Sequence, residues 1–188
     1  MRKVIYDLIA MNTVFYSTTM LVGLLSLSGC ASVGLAEDTD EIIPTVEKVD
    51  LERFMGGWYV IANIPTFLEK DVTNAIESYE LADDGTVLTT FAFDKEGERK
   101  SYQPRGFIRD ESNAHWGMQF VWPIKAEYRI VYVDDDYQFT IIGRSKRDYL
   151  WIMAREASIP EQELEALIQK AVDLGYAREA IQRVPQNW

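Results

Sequence analysis

The chain has 188 residues, 47% of them hydrophobic, enough for one packed domain with a targeting segment and too short for a second full domain. A net charge of −11 at pH 7 repels nucleic-acid phosphates and anionic headgroups, so nucleic acid is not expected as a partner. One cysteine and one histidine leave neither an internal disulfide nor the clustered nitrogen and sulfur ligands of a zinc site, and no metal or cofactor is expected.

The first thirty residues join a short basic start, Arg2 and Lys3, to an apolar stretch running from Val14 to Leu27 and ending Leu27-Ser28-Gly29-Cys30. That is the layout of a secretory signal; Ser17, Thr18 and Thr19 interrupt it, and it falls short of the roughly 18 to 20 apolar residues a spanning helix needs. That tetrapeptide resembles the bacterial lipobox, in which the cysteine thiol receives a diacylglyceryl group and the chain is cleaved just before it. On this reading residues 1–29 are a signal peptide and Cys30 carries the lipid. Residues 30–48, with Glu37, Asp38, Asp40, Glu41 and Pro44, form a solvated tether. Cleavage removes Arg2, Lys3 and Asp7, leaving 17 basic against 29 acidic residues, so the acidic balance persists. Acyl chains at roughly 0.8 kcal/mol per buried methylene anchor such a domain stably.

Residues 49–188 read as one domain of short β-type runs separated by turn signals. Eight runs are expected, at about residues 58–64, 73–81, 86–94, 99–109, 114–122, 127–133, 137–143 and 148–155. Asp83-Asp84-Gly85 and Lys95-Glu96-Gly97 have the composition of hairpin connections. Short connections imply an all-β, antiparallel, up-and-down meander, and eight such strands close into a barrel whose interior just admits one small ligand. In the fifth run Trp116, Met118, Phe120 and Trp122 alternate with His115, Gly117, Gln119 and Val121, and Tyr128, Tyr132 and Phe139 continue a period-two pattern in the next two runs. Such stripes fit a solid core as well as a ligand wall. Ser158-Ile159-Pro160-Glu161 has the spacing of a capping box, and Leu164, Leu167, Ile168, Ala171 and Leu174 form one stripe of the helix expected to follow, with Gly175 at its stop. A last short strand is expected within 181–184.

Gly56-Gly57-Trp58-Tyr59 resembles the Gly-x-Trp-Tyr signature that opens the first strand of the lipocalins. Tyr132-Val133-Asp134-Asp135-Asp136-Tyr137 sits at the turn between runs six and seven, where that family has a Thr-Asp-Tyr type motif, here without its threonine. Tyr149-Leu150-Trp151-Ile152-Met153-Ala154-Arg155 is similar to the last strand of the bacterial and apolipoprotein D-like branch. The resemblance covers roughly residues 49–186 and implies an eight-stranded lipocalin β-barrel with a C-terminal helix packed outside. It also implies that Gly56, Trp58 and Arg155 are structural, with the arginine packed across the tryptophan at the barrel's closed end. Ala31 after the cysteine implies, by family analogy, an outer-membrane location facing the periplasm.

The resemblance further implies binding of apolar ligands such as fatty acids or lysophospholipids. The wall residues expected are Val60, Ala62, Trp116, Met118, Phe120, Trp122, Tyr128, Tyr132 and Phe139, with Phe67 as a lid. An acidic headgroup would need a cation, and Arg105 or Arg129 serves only if its strand turns it inward. No Ser-His-Asp pattern or barrel cysteine is present, so no enzymatic activity is expected, and His115 lies on the face opposite the aromatic stripe. The alternative to a carrier is an envelope scaffold that docks a partner. Asp134-Asp135-Asp136 reads as a solvated turn rather than a calcium site.

Overall fold

The computed structural model describes residues 41–188; the signal segment and Cys30 lie outside the described residues. Residues 41–48, expected within the tether, lie against the barrel: Ile43 is fully buried, and Val46 donates its amide to the Ile130 carbonyl at 3.1 Å. A single helical turn, α1 (Leu51–Phe54), follows, capped by Asp50, whose carboxylate accepts from the Arg53 amide.

Strands β1 (Gly56–Ile64), β2 (Thr73–Leu81) and β3 (Thr86–Lys95) run as an antiparallel meander. The fourth run is split into β4 (Glu98–Tyr102) and β5 (Arg105–Ile108). Pro104 has no amide proton to give the ladder, so the strand breaks there; β4 pairs with the far half of β3 and β5 with its near half. Strands β6 (His115–Val121), β7 (Ile124–Val133), β8 (Phe139–Gly143) and β9 (Leu150–Ala154) complete the sheet, and β9 pairs with β1 to close an eight-stranded barrel in which β4 and β5 share the fourth place. The closed edge leaves no row of unpaired backbone groups along these strands.

A C-terminal helix, α2 (Glu161–Asp173), buries Leu164, Leu167, Ile168 and Ala171, the stripe its periodicity predicts. Its start differs from expectation. Pro160 occupies the cap position and no side chain caps the helix, so the Ser158–Glu161 capping box does not form. Gly175, at φ +93°, supplies the left-handed residue that ends the helical segment. Beneath α2 lie Ile61, Ala62, Ile141, Ile152 and Ala154, a second apolar layer separate from the barrel interior. Gly143 is needed there, because a Cβ would come within 2.5 Å of the Tyr176 hydroxyl that bonds both the amide and the carbonyl of Arg144. The short strand β10 (Gln182–Arg183) then pairs with Ala62 and Asn63 of β1, and the Gln186 amide bonds the carbonyls of Val60 and Ala75, closing the seam between β1 and β2. Among the described residues no helix is long and apolar enough to cross a membrane.

Candidate ligand-binding lumen

Because the strands alternate in direction, the connections 65–72, 96–97, 122–123 and 144–149 gather at one end of the barrel and α1 with the 134–138 turn at the other. The α1 end is sealed. The Arg155 guanidinium lies 3.7 Å from the centre of the Trp58 indole and donates to the carbonyls of Gly57, Arg53, Phe54 and Tyr137. The Trp58 indole N–H bonds the Phe54 carbonyl at 2.8 Å, and Phe54 packs on Trp58, Tyr79 and Trp116. Gly56, at φ +92°, lets the chain turn from α1 into β1 with 3.4 Å between its Cβ position and the guanidinium.

Above this floor the expected wall residues divide into three groups. Val60, Trp116, Met118 and Tyr128 are buried in the interior cluster, with Phe91 and Phe93 beside them. Phe67, Phe120 and Trp122 stand at the end opposite α1, Trp122 82% exposed, and with Val121 and Ile124 the β6–β7 hairpin presents an apolar tip. Ala62, Tyr132 and Phe139 are on the opposite side of the wall, packed in the layer under α2. The reason is register. A bulge between Val60 and Ala62 and another between Ile130 and Tyr132 each insert a residue, so the alternation changes face along β1 and β7. On β8 it is Ile142 that joins the interior cluster and Phe139 and Ile141 that face the helix.

Neither candidate arginine enters the lumen. Arg105 is exposed and pairs with Asp84 at 3.3 Å, while Arg129 bonds the Ile43 carbonyl and Glu127. His115, 3.7 Å from Asp110, is part-exposed, and burial with the nearby Arg129 lowers its pKa. Asp134 closes the β7–β8 turn by accepting from the amides of Gln138 and Phe139.

The interior also holds polar groups that sequence reading did not single out. Glu77 of β2 is buried and accepts from the Tyr79 hydroxyl, which in turn bonds the Tyr128 hydroxyl. Nearer the end opposite α1, Glu69 on the β1–β2 loop folds inward; its carboxylate accepts from the Trp151 indole at 2.6 Å and from the Thr66 amide at 2.9 Å. Burial pushes the Glu77 carboxyl up to about 7, opposed by the Tyr79 bond and reinforced by the Glu69 charge. Burial raises Glu69 as well, against the bonds from Thr66 and Trp151. The aromatic faces run in series: Tyr128 stacks on Trp116 at 5.3 Å and on Trp151 at 6.4 Å. One signal for Glu77 was present, since it shares strand parity with Ala75 and Tyr79. Nothing local distinguishes Glu69 from an ordinary loop acid. The clefts on the outer surface, one around Asn74 and Asp94 and one around Lys48 and Tyr137, contain none of the expected wall residues.

A family model described as a lipocalin-like domain matches residues 49–186. The temperature-induced lipocalin-1 of Arabidopsis thaliana is 31% identical over 152 residues, covering 76% of this chain and 82% of that protein. The outer membrane lipoprotein Blc of Escherichia coli (strain K12) is 24% identical over 137 residues, 71% of this chain and 77% of that one. Among solved structures, insecticyanin from the tobacco hornworm Manduca sexta has a TM-score of 0.59 at 15% identity, covering 76% of this chain and 83% of that chain. Lobster apocrustacyanin A1 has a TM-score of 0.60 at 10% identity, covering 78% and 92%. At these identities the two structures share the fold.

Proposed function

Since this chain belongs to the lipocalin-like family, we propose that it is a lipid-anchored carrier of the outer membrane, attached through Cys30, that takes apolar ligands such as fatty acids or lysophospholipids into its barrel. The observation that carries this reading is the asymmetry of the barrel's two ends. Arg155 and Trp58 seal one, while the other exposes Phe67, Phe120 and Trp122, with Met118, Phe91 and Phe93 in the interior cluster. An apolar rim above an apolar wall suits a ligand whose bulk is hydrocarbon. Similarity to outer membrane lipoproteins supports the anchor and location, and the lipobox-like Leu27-Ser28-Gly29-Cys30 supplies the attachment chemistry. A tethered pocket meets membrane lipids at high effective concentration, so modest affinity suffices. The reading is of a binding protein rather than an enzyme.

Native mass spectrometry of gently extracted, delipidated and refilled protein tests the carrier reading, with bound fatty acid or lysolipid as the expected result. Failure to take up any fatty acid, lysolipid or apolar dye would leave the scaffold alternative, which the dense packing of Phe54, Trp58 and Trp116 in the lower barrel favours. Cys30→Ser tests the anchor: the domain should appear in the soluble fraction, and persistent membrane attachment would contradict lipidation at that residue.

A further inference from the structure

The carrier reading leaves the ligand's polar end open, and the buried polar side chains bear on it. Resting on that reading, we propose that the lumen selects an amine-bearing amphiphile, its ammonium end held by Glu77 and Glu69 and its carbon chain running out past the apolar rim.

Two carboxyls in one interior are the starting observation. Glu69 and Glu77 are 3% and 6% exposed, and among the described residues the other buried polar side chains are Asn63, Thr89 and Thr140, with no lysine or arginine. Buried acids without a cation are costly, and a ligand that brings one relieves that cost. The second observation is independent of charge. Asn63, 1% exposed, lies close enough to the Glu69 carboxylate to lower its pKa, yet neither of its amide atoms has a hydrogen-bond partner within 3.5 Å among the described residues; the Thr89 hydroxyl, 3% exposed, is also without a partner among them. Thr89 is the cross-strand neighbour of Tyr79, which bonds Glu77, and Asn63 that of Trp151, which bonds Glu69, so each free group is one residue removed from an acid. Polar atoms this deeply buried and unpaired point to a polar ligand group. The third observation is one stacked aromatic series, Trp116, Tyr128 and Trp151, whose outer ring, the Trp151 indole, donates to Glu69 and is electron-rich surface beside it for an ammonium. A fatty-acid anion would instead add a further negative charge to a site with two acids and no cation.

The test compares dodecylamine, dodecanol and dodecanoate, each below its solubility or micelle-forming limit, binding to the delipidated full chain by calorimetry at pH 8. The amine should bind about tenfold more tightly than the alcohol and the carboxylate should bind worst. In the E69Q/E77Q variant, whose folding circular dichroism checks, the amine-to-alcohol ratio should fall to about one. In the surface variant D135N/D136N, at two exposed turn residues, that ratio should persist. An amine that binds no more tightly than dodecanol to the unsubstituted protein overturns the proposal, as does a preference that vanishes in D135N/D136N or survives in E69Q/E77Q. Preferred binding of dodecanoate overturns the amine proposal and leaves the carrier reading standing. If none of the three binds and no apolar dye enters, both fall together.

Discussion

The Arg155 guanidinium lies over the Trp58 indole, 3.7 Å from its centre, while its nitrogens bond four backbone carbonyls, three from the α1–β1 segment and one, that of Tyr137, from the β7–β8 turn. One side chain thereby ties the end of β9 to the segment that seals the barrel. The cation satisfies carbonyls that would otherwise face an apolar floor, and the indole supplies a π face in place of a counter-ion.

Arg155→Met should therefore destabilise the domain by about 2–3 kcal/mol, because the carbonyls lose a charged donor and the indole loses its cation. Urea unfolding of the variant, of Trp58→Phe and of the double variant should give a coupling of about 1 kcal/mol between the two positions. Strict additivity would mean that the stacked contact contributes nothing.

Glu77 should make stability fall as pH rises. Burial pushes its carboxyl up to about 7 in the folded chain from the usual 4.5, so between those values the folded state holds a proton the unfolded state has released. Stability then declines by about 3 kcal/mol from pH 4.5 to 7 and levels off above, with Glu69 acting in the same direction. Urea midpoints across this range should show the decline in the unsubstituted chain and lose most of it in Glu77→Gln. Stability that rises over the same window would contradict a buried, protonated Glu77.

Ala62 tests which face each strand residue takes. Ala62→Phe should overpack the layer under α2 and cost about 1–3 kcal/mol, while leaving uptake of an apolar dye close to that of the parent chain. Met118→Lys, on the interior face, should abolish dye uptake. Loss of uptake in Ala62→Phe at unchanged stability would return Ala62 to the lumen.

Trp122, 82% exposed, should be replaceable by Ser with a change in stability within about 0.5 kcal/mol, and the variant should lose a solvent-quenched component of tryptophan fluorescence. Acrylamide quenching before and after ligand addition should then show protection of that component in the parent chain, because the hydrocarbon passes the rim. Unchanged quenching on saturation would remove Trp122 from the entrance.

Much of this fold is legible along the chain because strand formation is a local matter. Period-two runs such as Trp116–Met118 and the turn residues Asp83-Asp84-Gly85 act over a few positions, and three motifs in order mark both ends of the barrel. The helix stripe is equally local, since residues three and four apart share a face whatever they pack against. The lumen is not local. Two bulges decide that Ala62 and Tyr132 face the helix, and a bulge is set by pairing with a neighbouring strand, so alternation counted along one strand gives the wrong face beyond it. Glu69 and Glu77 read as ordinary acids until closure of the sheet removes their water and brings Tyr79, Tyr128 and Trp151 to them. By itself the sequence determined the helix, the family and the strands apart from the break at Pro104; the tertiary structure alone decided which side chains share the interior, because burial and cross-strand register depend on residues far away in the chain.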